Sequence, residues 1–371
     1  MKKRKMLYEM KYRLLILLLG LPAIVPVLAQ GYSETRTYKR SFSAGRDVAL
    51  EITNKYGTIQ VTNGRSDSIL VRAEVVASSS NAQRMRKMMN GVSVNMAETA
   101  WSIRVQSDFS ANPGFLFEDL KNLTGKLIPY ENRLQVNYFI TIPRGIALKI
   151  DNMYGDVYLE DVMGSLDLTL SNGSLQAGYI QKATDISLSF VNGTIAGIGS
   201  GRVSFSYSDL KIGESGDLDM TARSSKIELA AVEKLSVNSR RDKIFIGSLN
   251  SITADSYFSD FSIESTSDEV ILKSSYGSFR APALLKSLSL LSVNAQFTEL
   301  YFGLENGLQA GVDIKTTSTS TSLPAANAKL STQVLNREKN ETVTFGNIGG
   351  DRAGTRIKID AIKGSLTVKY N

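Results

Sequence analysis

The sequence predicts an all-β chain, a parallel β-solenoid of the right-handed β-helix-like kind with an irregular N-terminal cap. Three observations predict it. Apolar and polar residues alternate at period two through most of the chain, the signature of half-buried strands. Helix signals are scarce. A similar short corner recurs at intervals of roughly 15 to 20 residues, the spacing of stacked units that cannot bury an apolar face alone.

The corners read Tyr154-Gly155-Asp156, Asn172-Gly173-Ser174, Asn192-Gly193-Thr194, Tyr207-Ser208-Asp209, Ser224-Ser225-Lys226, Arg241-Asp242-Lys243, Phe258-Ser259-Asp260 and Tyr276-Gly277-Ser278. Sandwiches and barrels also use short strands with frequent turns, but their hairpin loops vary, whereas a solenoid makes the same corner each time. Between corners the expected inward pairs are Leu168 with Leu175, Leu188 with Ile195, Phe205 with Ile212, Ile227 with Leu229, Ile244 with Ile246, Phe261 with Ile263, Val270 with Leu272 and Leu288 with Leu290.

Taken in chain order, residues 1–29 read as a secretory signal peptide. Lys2, Lys3, Arg4, Lys5, Lys11 and Arg13 against Glu9 alone supply +5 of the formal net charge of +7. An apolar run from Leu14 to Leu28 follows, and Ala29 closes a small-residue cleavage site. The run falls short of the roughly 20 residues of a membrane-spanning helix, and no later stretch approaches that length, so no transmembrane segment is expected after cleavage. The remaining +2 gives no concentrated basic surface, which argues against a nucleic-acid partner.

Residues 30–135 are expected to hold N-terminal strands and the cap, and 136–371 the repeats. Val48-Ala49-Leu50-Glu51-Ile52 and the alternation from Ile69 to Val75 read as strands. One helix is expected at 81–90, opened by an Asn81 cap and closed by Gly91, with Met85, Met88 and Met89 turned to the sheet. Residues 78–134 break the regularity and carry Trp101, Phe115, Phe117 and Tyr130, which suit an end cover or an aromatic-lined lip. Near the other end, the Thr/Ser run 316–322 suits a strand with a hydroxylated face, residues 336–342 a solvated loop, and 356–359 and 365–370 two closing strands.

Composition excludes much chemistry. The chain has no histidine and no cysteine, hence no Ser-His-Asp or Cys-His relay, no thiolate nucleophile, no zinc site of the usual type and no disulfide. Stacked corners would align Asp209, Lys226, Lys243 and Asp260 at about 4.8 Å per rung, with Asp209 facing Lys226 and Lys243 facing Asp260. The two carboxylates would then lie roughly 14 Å apart, beyond the ~5 to 9.5 Å of glycosidase pairs, so a structural charge ladder explains them. Glu118-Asp119, Glu160-Asp161 and Asp268-Glu269 are further acidic pairs. Asp217 and Asp219 share a strand face and could hold Ca²⁺ only with help from a neighbouring coil, so they read as a solvated edge. Gly197, Gly199 and Gly201 are followed by Arg202 and no helix, which is not a dinucleotide loop. No catalytic residue, metal or cofactor is expected.

The segment LQVNYFITIPRGIALKIDNMYGDVYLEDVMGSLDLTLSNGSLQAG (134–178) and the earlier EITNKYGTIQVTNG (51–64) share Asn-x-Tyr-Gly-Asp/Thr and Asn-Gly corners. This pattern resembles the bacterial adhesin-like families of β-strand repeats, including the head domain of autotransporter adhesins. The resemblance spans most of the chain after the leader. It implies an exported envelope protein of Gram-negative type, periplasmic, surface-held or secreted, and a β-helical fold. The sequence departs from tethered relatives in having no cysteine for lipidation.

The functional expectation is a non-catalytic binding module for glycans or other envelope components, adhesin-like. Corner aromatics can stack on sugar rings, and a repeated surface suits a repeated polymer. The candidate ligand-binding residues are Tyr207, Phe258, Tyr276, Phe115, Phe117 and Tyr130, with Tyr56 and Tyr154 at related corners. Phe258 and Tyr276 should sit on adjacent coils, where they could equally stack on each other and shield the turn. Two other classes stay open: a polysaccharide lyase or hydrolase on a β-helix, and a periplasmic signalling accessory that binds a protein partner.

Overall fold

A computed structural model describes residues 31–45, 48–109, 132–350 and 354–370. Almost all of them lie in one large, unclosed β-sheet of 18 strands.

The repeating part is set by the sequence step. β11 (Asp209–Arg223) and β12 (Lys226–Arg240) are strands of 15 residues separated by two-residue corners. Each pairs in parallel with the next coil 17 residues on, Asp209 with Lys226 and Lys226 with Lys243. On either side, β10 (Val162–Ser206) and β13 (Lys243–Leu284) run through several corners as unbroken strands. β8 (Ala147–Met153) and β9 (Val157–Leu159) pair in parallel with the start of β10.

Within each coil the pairing lapses at Gly213/Ala230/Gly247 and again three residues later at Gly216/Glu233/Asn250. The strand bends there, and the first of the two bends is made by Gly or Ala in each coil. A Cβ on Gly213 would stand 2.0 Å from the Ala196 carbonyl oxygen. The bends also shift the inward phase, so the buried residues of one coil are Ile227, Leu229, Val232, Leu235, Val237, Ser239 and Asp242. Stacked on the next coils they make continuous apolar columns such as Leu210, Ile227, Ile244 and Phe261.

Fifteen of the sixteen expected inward residues are buried; Leu290 is not, and Leu291 and Val293 point inward in its place. The cause is the turn at 286–287, which delays β14 (Leu290–Leu304) and flips its phase.

Both ends are interleaved. β2 (Ala49–Lys55) and β3 (Ile59–Asn63) lie between β8/β9 on one side and β6 (Ser102–Asp108) and β7 (Arg133–Ile142) on the other. β4 (Ser68–Ser79) runs antiparallel to β7, and β1 (Tyr32–Ser43) antiparallel to β4. β5 (Ser93–Glu98) folds back on β6. Over this end packs the helix α1 (Ala82–Asn90). Asn81 caps it by accepting from the Arg84 amide, Gly91 closes it, and Met85, Met88 and Met89 are buried.

At the far end, the closing residues form one bent strand, β18 (Thr355–Tyr370), parallel to both β14 and β15 (Ala310–Ser322) and inserted between them. The Thr/Ser run is the outer part of β15. The expected loop at 336–342 is narrower: only 337–340 form a turn, joining β16 (Ala328–Asn336) to β17 (Glu341–Ile348) as a hairpin beside β15.

Candidate functional site

The corner between coils places one residue per rung in the left-handed backbone region, with φ between +49° and +61°. In spatial order the column reads Tyr56, Tyr154, Asn172, Phe190, Tyr207, Ser224, Arg241, Phe258, Tyr276, Phe297, Lys363, Ser318. This conformation costs a non-glycine residue about 1–2 kcal/mol, and Asn is its usual occupant after Gly. Asn172 follows that rule. Seven aromatic residues do not.

The rings offset part of that cost by stacking along the column. Phe258 lies on Tyr276 at 4.6 Å between ring centroids and 7° between planes, and Tyr276 on Phe297 at 4.9 Å and 4°. Phe190 and Tyr207 stack at 4.9 Å and 4°, and Tyr56 and Tyr154 at 5.5 Å and 12°. Phe109 meets Tyr56 edge-on, and Tyr257 meets Phe258 and Tyr276 edge-on. Cations finish the ends: Lys363 Nζ stands 5.1 Å from the Phe297 ring centre and Lys55 Nζ 5.0 Å from that of Tyr56. Despite these contacts Tyr154, Phe190, Tyr207, Phe258, Tyr276 and Phe297 stay 37% to 58% exposed.

Thus Phe258 and Tyr276 do sit on adjacent coils and in contact. Tyr207 stands apart from them, stacked on Phe190. Phe115, Phe117 and Tyr130 lie outside the described residues. Two column members were hidden by stronger local signals. Asn192-Gly193 looks like a corner, yet the left-handed residue is Phe190, one 17-residue step before Tyr207. Phe297 follows Tyr276 by 21 residues because of the extra turn at 286–287.

Stacking occupies most ring faces. Among the described residues the run of rings is interrupted at Asn172, between Tyr154 and Phe190, and at Ser224 and Arg241, between Tyr207 and Phe258, with no ring or cation stacked there. The second gap adjoins a shallow groove of about 750 Å³ floored by Gly213, Ala230 and Gly247 and bordered by Lys211, Lys226, Glu228 and Phe245.

Behind the corner runs a buried polar ladder. Ser208, Ser225, Asp242 and Ser259 point inward, and each side-chain oxygen accepts the backbone N–H of the preceding rung: Val191 to Ser208 at 3.1 Å, Ser208 to Ser225 at 3.2 Å, Ser225 to Asp242 at 2.7 Å, Asp242 to Ser259 at 3.1 Å. Asp242 also accepts from Ser239 Oγ and the Arg240 amide, both at 2.7 Å. Burial pushes its carboxyl pKa up, and those three donors hold it back.

The charge column departs from expectation. Asp209 and Lys226 are in register, but the Lys226 ammonium turns along its own strand to Glu228 Oε1 at 2.5 Å, which raises its pKa and lowers that of Glu228. No ion pair joins Lys243 and Asp260 among the described residues. Asp260 accepts from Ser278 Oγ instead. Asp217 lies beside Lys234, and Asp219 beside Arg202 and Ser236.

No family model matches the chain, so the expected likeness to autotransporter head domains has no counterpart there, and no curated protein matches either. Solved structures of low identity align with it. A candidate adhesin from Bacteroides fragilis is 9% identical, with 65% of this chain and 96% of that one covered and a TM-score of 0.35. A candidate cell adhesion protein from Clostridium sporogenes is 10% identical over 91% and 100%, with a TM-score of 0.19. A candidate lipid binding protein from Parabacteroides distasonis is 10% identical over 91% and 96%, with a TM-score of 0.30. No helix among the described residues is long and apolar enough to cross a membrane.

Proposed function

We propose that the chain is an exported, non-catalytic binding module of the cell envelope, adhesin-like, whose corner column holds a glycan polymer. On this reading the ladder from β2 to β18 is a right-handed parallel β-solenoid, with residues 30–135 supplying strands and cap and 136–371 the repeats. The single observation that carries the reading is the column itself. Seven aromatics occupy a backbone region that penalises them, and six of those stay substantially exposed. Twelve rungs at about 4.8 Å give a stripe roughly 50 Å long, a rigid linear surface matched to a linear polymer.

On this reading a sugar docks at the two gaps. A pyranose offers C–H bonds to an aromatic face, and free faces occur at the two gaps. Over Asn172 the flanking rings are two rungs apart, about 9.5 Å. Carbon contacts of 3.5–4.0 Å on each side leave space for a puckered ring but hold a flat one loosely. The Asn172 amide, exposed at the floor, offers a donor and an acceptor to hydroxyls. At the wider gap Arg241, Lys226 and Glu228 add charge-assisted partners.

The test is size-exclusion chromatography of a polysaccharide panel with the wild type and with Phe258→Ala/Tyr276→Ala. Co-elution of one polymer with the wild type at unchanged polymer length, lost in the double variant, supports the reading. Shortened polymer would make the protein a lyase or hydrolase, and binding that survives both this double variant and Tyr154→Ala/Phe190→Ala would move the site off this column.

A further inference from the structure

The two ends of the sheet treat their exposed edges differently. At the N-terminal end β1 carries Glu34, Arg36, Lys39 and Arg40 within twelve residues, β5 is only six residues long, and α1 packs against β4 and β1. Charge, brevity and a covering helix are the devices that keep sheet edges from pairing. At the other end β16 pairs only with β17 among the described residues, which leaves its second edge without a strand partner. Its sequence, AKLSTQVLN, contains one charge, Lys329, and no proline. Val334 and Leu335 are 58% and 54% exposed. Its only irregularity lies between Val334 and Asn336, so 328–334 present a regular run of backbone donors and acceptors.

We propose that β16 is the site of self-association, pairing antiparallel with β16 of a second copy about a two-fold axis at Thr332. An isologous contact must be self-complementary, and this register is. Leu330 then faces Val334 of the second copy, Thr332 faces Thr332, Ser331 faces Gln333, and the aliphatic stem of Lys329 faces Leu335. No like charges meet. Thr–Thr contacts of this kind already join neighbouring strands at this end, Thr332 of β16 to Thr344 of β17 and Thr316 of β15 to Thr342 of β17, each at 2.9 Å between hydroxyls. A head-to-tail stack is disfavoured because the N-terminal end is the covered one, so the assembly closes as a dimer and does not run on as a fibre. In such a dimer the two aromatic columns point away from a shared end.

The absence of native cysteine makes the register directly readable. Single variants Thr332→Cys and Leu335→Cys of the full chain are oxidised mildly at low micromolar concentration, and dimer is quantified on non-reducing gels. Across an antiparallel pair, facing Cα atoms lie about 4.5–5.5 Å apart, within disulfide reach. The two copies of residue 335 would be six residues out of register, about 20 Å. The proposal expects Thr332→Cys to cross-link at least tenfold faster than Leu335→Cys, and sedimentation velocity of the wild type to show a concentration-dependent dimer that Thr332→Lys shifts to monomer with unchanged circular dichroism. Equal cross-linking at both sites, or a wild type that sediments as monomer throughout, overturns it.

Discussion

Replacing Tyr276 by glycine and by alanine should invert the usual ranking of those residues in a β-strand. Within a strand, Gly is worse than Ala by about 0.5–1 kcal/mol because it loses more backbone freedom on folding. Tyr276 has φ +59°, where a Cβ costs about 1–2 kcal/mol. Both variants lose the two stacked neighbours, Phe258 and Phe297, at about 0.5–1.5 kcal/mol each. Tyr276→Ala keeps the backbone penalty and should therefore cost about 1–3 kcal/mol. Tyr276→Gly releases it and should be the more stable of the two by about 1 kcal/mol. At a urea m-value of about 2–3 kcal/mol/M the separation is roughly 0.3–0.5 M in midpoint. Tyr257, nineteen residues earlier with ordinary φ and 40% exposure, is the control, and there Ala should beat Gly. If Ala is the more stable at both positions, the left-handed corner and the cost assigned to its aromatics are wrong.

Three other outcomes follow from the same geometry. Asn172→Tyr should complete the stack between Tyr154 and Phe190, cost at most about 1 kcal/mol, and abolish polymer binding at that gap, read by the same chromatography; undiminished binding would remove the gap from the site. Burial raises the Asp242 pKa above its usual 3.8, so the folded chain holds that proton more tightly than the unfolded one. This contribution to stability is fully present below the usual value and is lost as pH rises through the folded pKa, so the melting-temperature gap between wild type and Asp242→Ser should shift in the wild type's favour from pH 6 to pH 3.5, and a pH-independent gap would refute it. Among the described residues the fully buried Tyr138 hydroxyl has only the nearby Ser107 side chain as a polar neighbour and makes no well-formed hydrogen bond, and Tyr138→Phe should leave stability unchanged or raise it by about 1 kcal/mol, measured by urea titration.

What the sequence made legible was whatever repeats locally. The helix over Met85, Met88 and Met89, the 17-residue step and the corners at Tyr207, Ser224, Arg241 and Phe258 all rest on patterns complete within a few residues. What it concealed depends on how coils meet. Leu290 follows the local alternation yet faces outward, because phase is fixed by the bend before it. Phe190 lost to Asn192-Gly193 because the Asn-Gly signature is strong anywhere, while the left-handed position is chosen by stacking register with Tyr207. Lys226 pairs with Glu228 rather than Asp209 because two residues along one strand share a side, and both long side chains span the roughly 6.6 Å between their backbones. The polar ladder of Ser208, Ser225, Asp242 and Ser259 had a visible sequence signal, a small polar residue one place after each left-handed residue, which acquires meaning once those residues are seen to point inward.

The interleaved ends bear on why such a column could work as a binding surface. In a ladder built from nearest-neighbour contacts, terminal rungs fray first, since each is held from one side only. Here the first rung in sequence, β2 with β3, is gripped on both sides, and so is the last, β18. Peeling off β18, or β2 with β3, would break two parallel ladders at once. The outermost positions fall to strands added antiparallel, β5 beyond β6 and β1 beyond β4 near the start, and β16 beyond β17 near the finish. Removing β18 would therefore not shorten the ladder by a rung. It would open a gap between β14 and β15 and strip Lys363 from the face of Phe297. Rung spacing, and with it the spacing of the rings, is thereby held at both extremes, and a ligand that spans several corners meets a surface already ordered, which spares the entropy of arranging it on binding.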